Sequence, residues 1–162
     1  MAISQVVGTR RDGKVTLKDS AANTLLLVFE AGDFSFSEPK ADRVVIRDRG
    51  AISGLRKGDD PVGECAFSVH FSEFTNATAT VLMDVCYHRG NASTFVSVGG
   101  AGYEQFLVDI EFEADKITLG DSHVAKATLA KVLLTASFSE SESDTLEITG
   151  EVYGGITYAG IV

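Results

Sequence analysis

The chain has 162 residues and a mass of 17.2 kDa, which predicts one domain over residues 1–162. Hydrophobic residues make up 44% and charged residues 23%, as in globular proteins, so the composition excludes a disordered or collagenous chain. The net charge of −9 argues against tight nucleic-acid binding, which depends on lysine and arginine neutralising phosphates.

The charge is distributed unevenly along the chain. Residues 1–62 sum to +1 and residues 63–162 sum to −10. Such asymmetry is compatible with self-association, in which a basic patch of one copy meets an acidic patch of the next. It is equally compatible with an ordinary acidic surface. No apolar run reaches the length of a membrane-spanning helix, so we expect no membrane insertion.

The first third of the chain predicts strands joined by turns. We expect residues 1–12 to form a flexible N-terminal arm. Residues 14–18 alternate apolar and polar, residues 24–30 are nearly all apolar, and residues 34–37 resume the alternation. The second of these runs is typical of a strand buried on both faces. In residues 43–49, Val44 and Ile46 alternate with a basic row.

Two segments interrupt the strand pattern. Residues 48–63 combine charge with glycine and lack clean periodicity, and we expect a long loop there. Residues 75–88 have apolar positions spaced by three and four, which predicts a helix of about three turns. Thr75 or Asn76 would cap its start, and Gly90 would end it.

Period-two alternation returns in the remainder of the chain. It marks residues 65–72, 106–113, 131–138 and 145–153 as half-buried strands. With those of the first third, about seven strands are joined by turns rich in glycine and aspartate. The fold class is therefore mainly β, an antiparallel β-sandwich or barrel of about seven strands with one flanking α-helix.

No catalytic or cofactor-binding constellation is present. His70, His88 and His123 lack the spacing of metal ligands. The glycine-rich residues 99–102 lack a P-loop lysine and a dinucleotide fingerprint. Cys65 and Cys86 are interpreted as free thiols, and a disulfide between them is the alternative. We therefore expect no enzymatic activity, no cofactor and no metal.

A row of carboxylates lies on one strand. Asp109, Glu111 and Glu113 alternate with apolar residues and project to one side. Such a row either is solvated or binds a cation, and the solvated interpretation is favoured.

Several segments, taken together, resemble the tail tube (major tail) proteins of long-tailed bacteriophages. The similarity extends over roughly residues 13–155 and includes the predicted strand and helix in the family's order. It is carried by residues 32–36, 45–52, 55–62, 67–71, the helix from Thr75, residues 146–150 and residues 153–155.

The resemblance implies a structural virion protein of the tail, made in the host cytoplasm. Its copies would form hexameric rings that stack head to tail into a hollow tube, through which DNA passes without specific binding. The partners implied are other copies of the chain, the tape measure protein, the tail terminator, and tail tip or baseplate proteins. The fold implied is similar to that of the type VI secretion tube protein.

On this interpretation, charged residues divide between two roles. Residues 48–63 would be a long inter-ring loop, and the carboxylate row Asp109, Glu111 and Glu113 would face the lumen. The expected subunit-interface residues are Arg10, Arg11, Arg43, Arg47, Arg49, Arg56, Lys57, Asp59 and Asp60. The alternative is a β-sandwich binding module for a carbohydrate or receptor, which predicts exposed aromatic residues around a shallow site.

Overall fold

Strands dominate the computed structural model, which describes residues 13–27, 34–114, 125–139 and 145–160. The predicted N-terminal arm, with Arg10 and Arg11, lies outside these residues. The elements within them are β1 Gly13–Lys18, β2 Thr24–Leu27, β3 Ser35–Ser37, β4 Arg43–Asp48, β5 Ala51–Lys57, β6 Gly63–His70, α1 Leu82–Tyr87, a 3₁₀ helix Gly90–Thr94, β7 Val108–Ala114, β8 Ala125–Phe138, β9 Thr145–Val152 and β10 Ile156–Gly160.

The main sheet is antiparallel and has the order β2-β1-β7-β8-β9-β6-β3, with β10 also on β8. The 14-residue strand β8 changes partners along its length. Residues 125–132 pair with β7 and residues 125–129 with β10, whereas residues 132–138 pair with β9. The sheet therefore consists of a five-stranded half, β2-β1-β7-β8-β10, and a four-stranded half, β8-β9-β6-β3.

An irregularity in β8 separates the two halves. Lys131 has a positive φ of 55°, and its amide donates to the Asp109 carboxylate at 2.9 Å. Across from it, the amides of Tyr153 and Gly154 donate to the carbonyls of Lys131 and Ala130. Bulges of this kind bend a strand and increase its local twist.

The two halves share one apolar core. Alternate residues of β1, β6, β7, β8 and β9 are buried, as period-two patterning requires. The Phe34 ring lies 5.2 Å from that of Phe112 on β7 and 5.8 Å from that of Phe67 on β6, so it contacts both halves. The core members are Val15, Leu17, Leu27, Cys65, Phe67, Val69, Leu82, Val85, Ala92, Phe95, Val108, Ile110, Ala127, Leu129, Val132, Leu134, Leu146, Ile148 and Val152. The predicted mainly β fold with one α-helix is confirmed.

The strand predicted to be buried on both faces is not. Within residues 24–27, Leu27 is buried but Leu26 is 52% exposed. Leu26 lies opposite Thr16 on the outward face of the sheet, and residues 28–30 of the predicted run lie outside the described residues. The run of leucines resembles a central strand because apolar composition alone does not distinguish a central strand from an edge strand.

The helix is shorter than predicted. It covers Leu82–Tyr87, and its N-cap is Val81, which makes no side-chain cap. Asn76 instead accepts hydrogen bonds from the amides of Thr78 and Ala79, forming a local turn. Because asparagine competes for backbone donors in this way, it delays the helix. The helix ends at His88, which is left-handed.

Residues 48–63 are not an irregular loop, because β5 occupies residues 51–57. It pairs with β4 in a separate two-stranded sheet. Arg49 and Gly50 have φ of 48° and 89° and lie between the paired residues Asp48 and Ala51. Positive φ at both central residues matches the right-handed twist of a tight hairpin. The β4–β5 hairpin comprises residues 43–57.

Candidate assembly surfaces

The β4–β5 hairpin is the most exposed regular element described. Every residue of its two strands is exposed except Gly54, which is half-buried. Its exposed large apolar side chains include Ile52 at 66% and Leu55 at 63%. The others are Val44, Val45 and Ile46. The strand register places Val45, Ile52 and Leu55 on one face of the hairpin and Val44 and Ile46 on the other. Exposed apolar side chains in this number mark an interaction site.

Basic side chains are mixed with these apolar ones. Arg43 lies opposite Lys57, and Val44 lies opposite Arg56. Residues directly opposite in a sheet share a face, so both faces of the hairpin carry cations. The alternation in residues 43–49 had suggested one basic face and one apolar face. The structure does not have this separation.

The hairpin is attached to the rest of the chain at its base. The Asp42 amide donates to the Asp59 carbonyl at 3.0 Å, and Lys57 forms an exposed ion pair with Asp60 at 2.7 Å. Near the turn, Arg47 donates to the Gly50 carbonyl at 3.3 Å. The structure thus groups the described interface candidates on one projecting element or at its base.

The carboxylate row on β7 is partly neutralised. The Glu111 carboxylate is 13% exposed and lies 2.7 Å from Lys18 Nζ and 2.6 Å from Lys126 Nζ. Asp109 accepts the Lys131 amide. Glu113 is 34% exposed and lies 3.9 Å from Lys126. The expectation of a uniformly solvated row is wrong for Glu111, which is packed between two lysines.

Glu111 makes stability depend on pH. Burial alone would raise its pKa, but the hydrogen bonds from Lys126 and Lys18 outweigh burial and lower the pKa. A carboxylate with a lowered pKa stabilises the fold above its unfolded pKa, and that stabilisation is lost as pH falls through the folded value. We expect Glu111→Gln to cost about 1–3 kcal/mol at pH 7 and much less at pH 3.

Urea unfolding of the wild type and of Glu111→Gln at both pH values tests this expectation. Glu113→Gln is the matched control, because Glu113 is more exposed and its lysine is farther away. It should change stability little at either pH. An equal effect of Glu111→Gln at pH 3 and pH 7 would contradict the proposed ion-pair contribution.

The outward face of the four-stranded half has a different charge balance. Glu64 lies opposite Glu151, and Glu147 lies farther along β9; all three are exposed. Part of this face forms a cleft of about 560 Å³ with small residues in its walls. The described outward residues are Ser35, Ser37, Glu64, Ala66, Ser68, His70, Leu133, Thr135, Ser137, Thr145, Glu147, Thr149 and Glu151. This set has no lysine or arginine, so its formal charge is −3.

The five-stranded half is balanced on its outward face. Lys14, Lys18 and Lys126 stand among the three carboxylates of β7. The sequence shows these charged residues, but it does not show which of them lie next to each other on one face of the sheet. Glu64 and Glu151 are 87 positions apart, and only the register of β6 against β9 brings them together.

The described residues offer little for catalysis. They contain no cluster of three or more potential metal ligands among histidine, cysteine, aspartate and glutamate. Cys65 and Cys86 are free, and burial raises the pKa of each thiol to about 12. Both thiols are therefore protonated and unreactive at neutral pH. Among the described helices, none has the length and apolarity needed to cross a membrane.

Solved structures share this fold at low sequence identity. No family model and no curated protein matches the sequence. A chain in the cryo-EM structure of the anti-feeding prophage cap, which terminates the tube, superposes with a TM-score of 0.59 at 14% identity. The match covers 99% of this chain and 95% of that one. The two chains therefore share a fold.

Two further matches come from another extracellular contractile injection system, PVC. A chain of its sheath/tube terminator in the extended state gives a TM-score of 0.58 at 14% identity, covering 99% of this chain and 100% of that one. A chain of its sheath-tube complex gives 0.57 at 14% identity, covering 98% and 95%. The fold is thus shared over nearly the whole length of each chain.

Proposed function

We propose that this protein is a structural tail subunit that assembles into hexameric rings stacked as a hollow tube. The projecting β4–β5 hairpin carries the proposal, because its aliphatic side chains lie in solvent in the isolated chain. The tail-tube-like fold supports the same interpretation. The role is mechanical rather than enzymatic, and its site of action is the tail of a virion or of a related particle.

Sheet edges supply a second reason for assembly. In the described sheet order, β2 and β3 are the terminal strands. Unpaired strand edges invite pairing with another chain, and closing a ring of subunits removes them.

The lumen of such a tube is best assigned to the four-stranded half. Phosphates pass most freely along a wall without cations, because each lysine or arginine contact adds affinity. The face carrying Glu64, Glu147 and Glu151 has none among its described residues, whereas the face of Asp109, Glu111 and Glu113 carries three lysines. We therefore propose the former in place of the β7 carboxylate row as the DNA-facing wall.

Labelling of assembled tubes tests the lumen assignment. Thr149→Cys puts a thiol on the four-stranded face, and Thr128→Cys puts one on the five-stranded face. In tubes, we expect a small maleimide to label both variants and a bulky polymer-linked maleimide to label only Thr128→Cys. Rapid reaction of the Thr149→Cys variant with the bulky reagent would place this face on the outside.

The other partners follow from the tube. A tape measure protein would occupy the lumen, and terminator and baseplate or tail tip proteins would bind the two ends.

A second candidate function is the terminator itself, favoured by the similarity to chains in two cap and terminator structures. A terminator would form rings that end a tube but would not form long tubes.

Electron microscopy of the purified protein tests the proposal. Rings and tubes of uniform diameter support the tube subunit, and single rings support the terminator. Dispersed monomers that bind glycans would support the rival binding module. The described residues include exposed aromatic side chains, among them Phe74, Tyr87 and Tyr153, so glycan binding is the outcome that this experiment separates from assembly.

A further inference from the structure

Three phenylalanines form an aromatic cluster, Phe71, Phe74 and Phe138, that is half in solvent. Their ring centroids lie 4.7, 4.8 and 5.1 Å apart. Phe74 is 49% exposed and Phe138 is 40% exposed. Beside them Arg89 donates to the Phe74 carbonyl at 3.1 Å, and its guanidinium lies 5.3 Å from the exposed ring of Tyr87. The rings pack on each other but leave an apolar surface uncovered in the described chain.

The aromatic cluster and the β4–β5 hairpin lie at opposite ends of β6. The hairpin leads into Gly63, where β6 begins, and Phe71 directly follows His70, where β6 ends. Phe138 ends β8 at the same end, because β8 and β6 both flank β9 with Phe138 and Val69 opposite Leu146. The eight residues of β6 separate the two ends by roughly 25 Å at about 3.3 Å per residue.

We infer that the aromatic cluster of one copy receives the β4–β5 hairpin of a second copy in the next ring. The inference rests on the proposed tube function and names the surface that holds successive rings together. Two different patches at opposite ends of a subunit make a heterologous contact, and such a contact repeats without limit along an axis. Aliphatic side chains such as Ile52 and Leu55 would pack on the faces of Phe74 and Phe138.

The net charges favour another copy of this chain as the occupant. The β4–β5 hairpin carries five basic residues and one acidic residue, a net charge of +4. The whole chain is −9, so the remainder is −13. At the receiving end, the exposed Glu73 stands between Phe71 and Phe74, and Arg89 at the Phe74 carbonyl balances its charge, so the contact at the rings is apolar. A nucleic acid would also attract the arginines, but it would not cover exposed aliphatic side chains such as Ile52 and Leu55.

A variant of the exposed ring tests the inference. Phe74→Ser should raise the lowest protein concentration that forms tubes by tenfold or more, with the fold retained by circular dichroism. Tyr103→Ser is the matched control, because Tyr103 is another exposed aromatic residue, 40% exposed and away from the aromatic cluster. It should assemble as the wild type does.

Cross-linking gives a readout of position that does not depend on stability. Tubes grown from a mixture of Leu55→Cys and Phe74→Cys copies should yield covalent dimers with a short bismaleimide, since the native thiols are protonated. A mixture of Leu55→Cys and Tyr103→Cys copies should not. This inference alone would be overturned by three results together: the wild type forms tubes, Phe74→Ser assembles normally, and the mixture of Leu55→Cys and Phe74→Cys copies gives no dimer. If the wild type never assembles, or if the β4–β5 hairpin binds DNA and not another copy, both this inference and the tube proposal would be overturned.

Discussion

Replacing Ile52 and Leu55 together with aspartate is expected to abolish tube formation while the subunit stays folded. Each apolar side chain buried at an interface contributes about 1.5–3 kcal/mol, and a carboxylate in its place must lose its water. Both residues are mostly exposed in the subunit, so its own stability should change by about 0.5 kcal/mol or less. Sedimentation velocity and thermal unfolding measure the two effects.

The conservative double variant Ile52→Leu with Leu55→Ile is the matched control and should assemble. The double variant Arg47→Glu with Arg49→Glu tests whether the charges of the hairpin contribute to assembly separately from its apolar side chains. If these arginines meet acidic groups of a neighbour, that variant should block assembly too and leave the monomer folded. Normal tubes from the double aspartate variant would show that the β4–β5 hairpin is not an interface.

Asp84→Ala is expected to cause a large loss of stability, about 3 kcal/mol, because several donors lose the one buried acceptor that they share. The Asp84 side chain is fully buried. It accepts hydrogen bonds from the Thr75 hydroxyl at 3.1 Å, the Asn76 amide at 2.9 Å and Arg89 Nε at 3.2 Å. Alanine would remove the acceptor that all three donors share and would weaken the connection between the segment before α1 and the segment after it, where the Asn91 amide still bonds to the Asn76 carbonyl.

Urea unfolding measures the effect, with Asp60→Ala as the control. Asp60 forms an ion pair with Lys57, but both side chains are exposed, and such pairs contribute little. Removing Asp60 should therefore leave the midpoint nearly unchanged. A similar small shift for Asp84→Ala would show that the buried carboxylate is not what joins the two segments.

Alternation predicted the strands that bury one face, because each half of the sheet has core on one side and polar residues on the other. It failed for β4 and β5, whose apolar residues are not buried at all. The turn between β4 and β5 was not predicted either, because arginine, at position 49, is uncommon at a position with left-handed backbone. The helix was overextended because Asn76 turns the chain locally, a contact that spacing does not reveal.

The candidate surfaces were predictable only in part. The basic residues of the β4–β5 hairpin lie close together in the sequence, so a charged interaction segment was visible. Glu64 and Glu151 meet only through strand register, and Phe74 meets Phe138 across 64 positions of sequence. Contacts between distant residues depend on topology, which a single sequence does not specify.

A cryo-EM reconstruction of the wild-type assembly, at a resolution that separates strands, tests the central claim most directly. We predict stacked hexameric rings in which residues 43–57 of each subunit cross into the next ring and the four-stranded half faces the axis. A tube in which this hairpin stays within its own ring or projects into solvent would contradict the account, as would a preparation without rings.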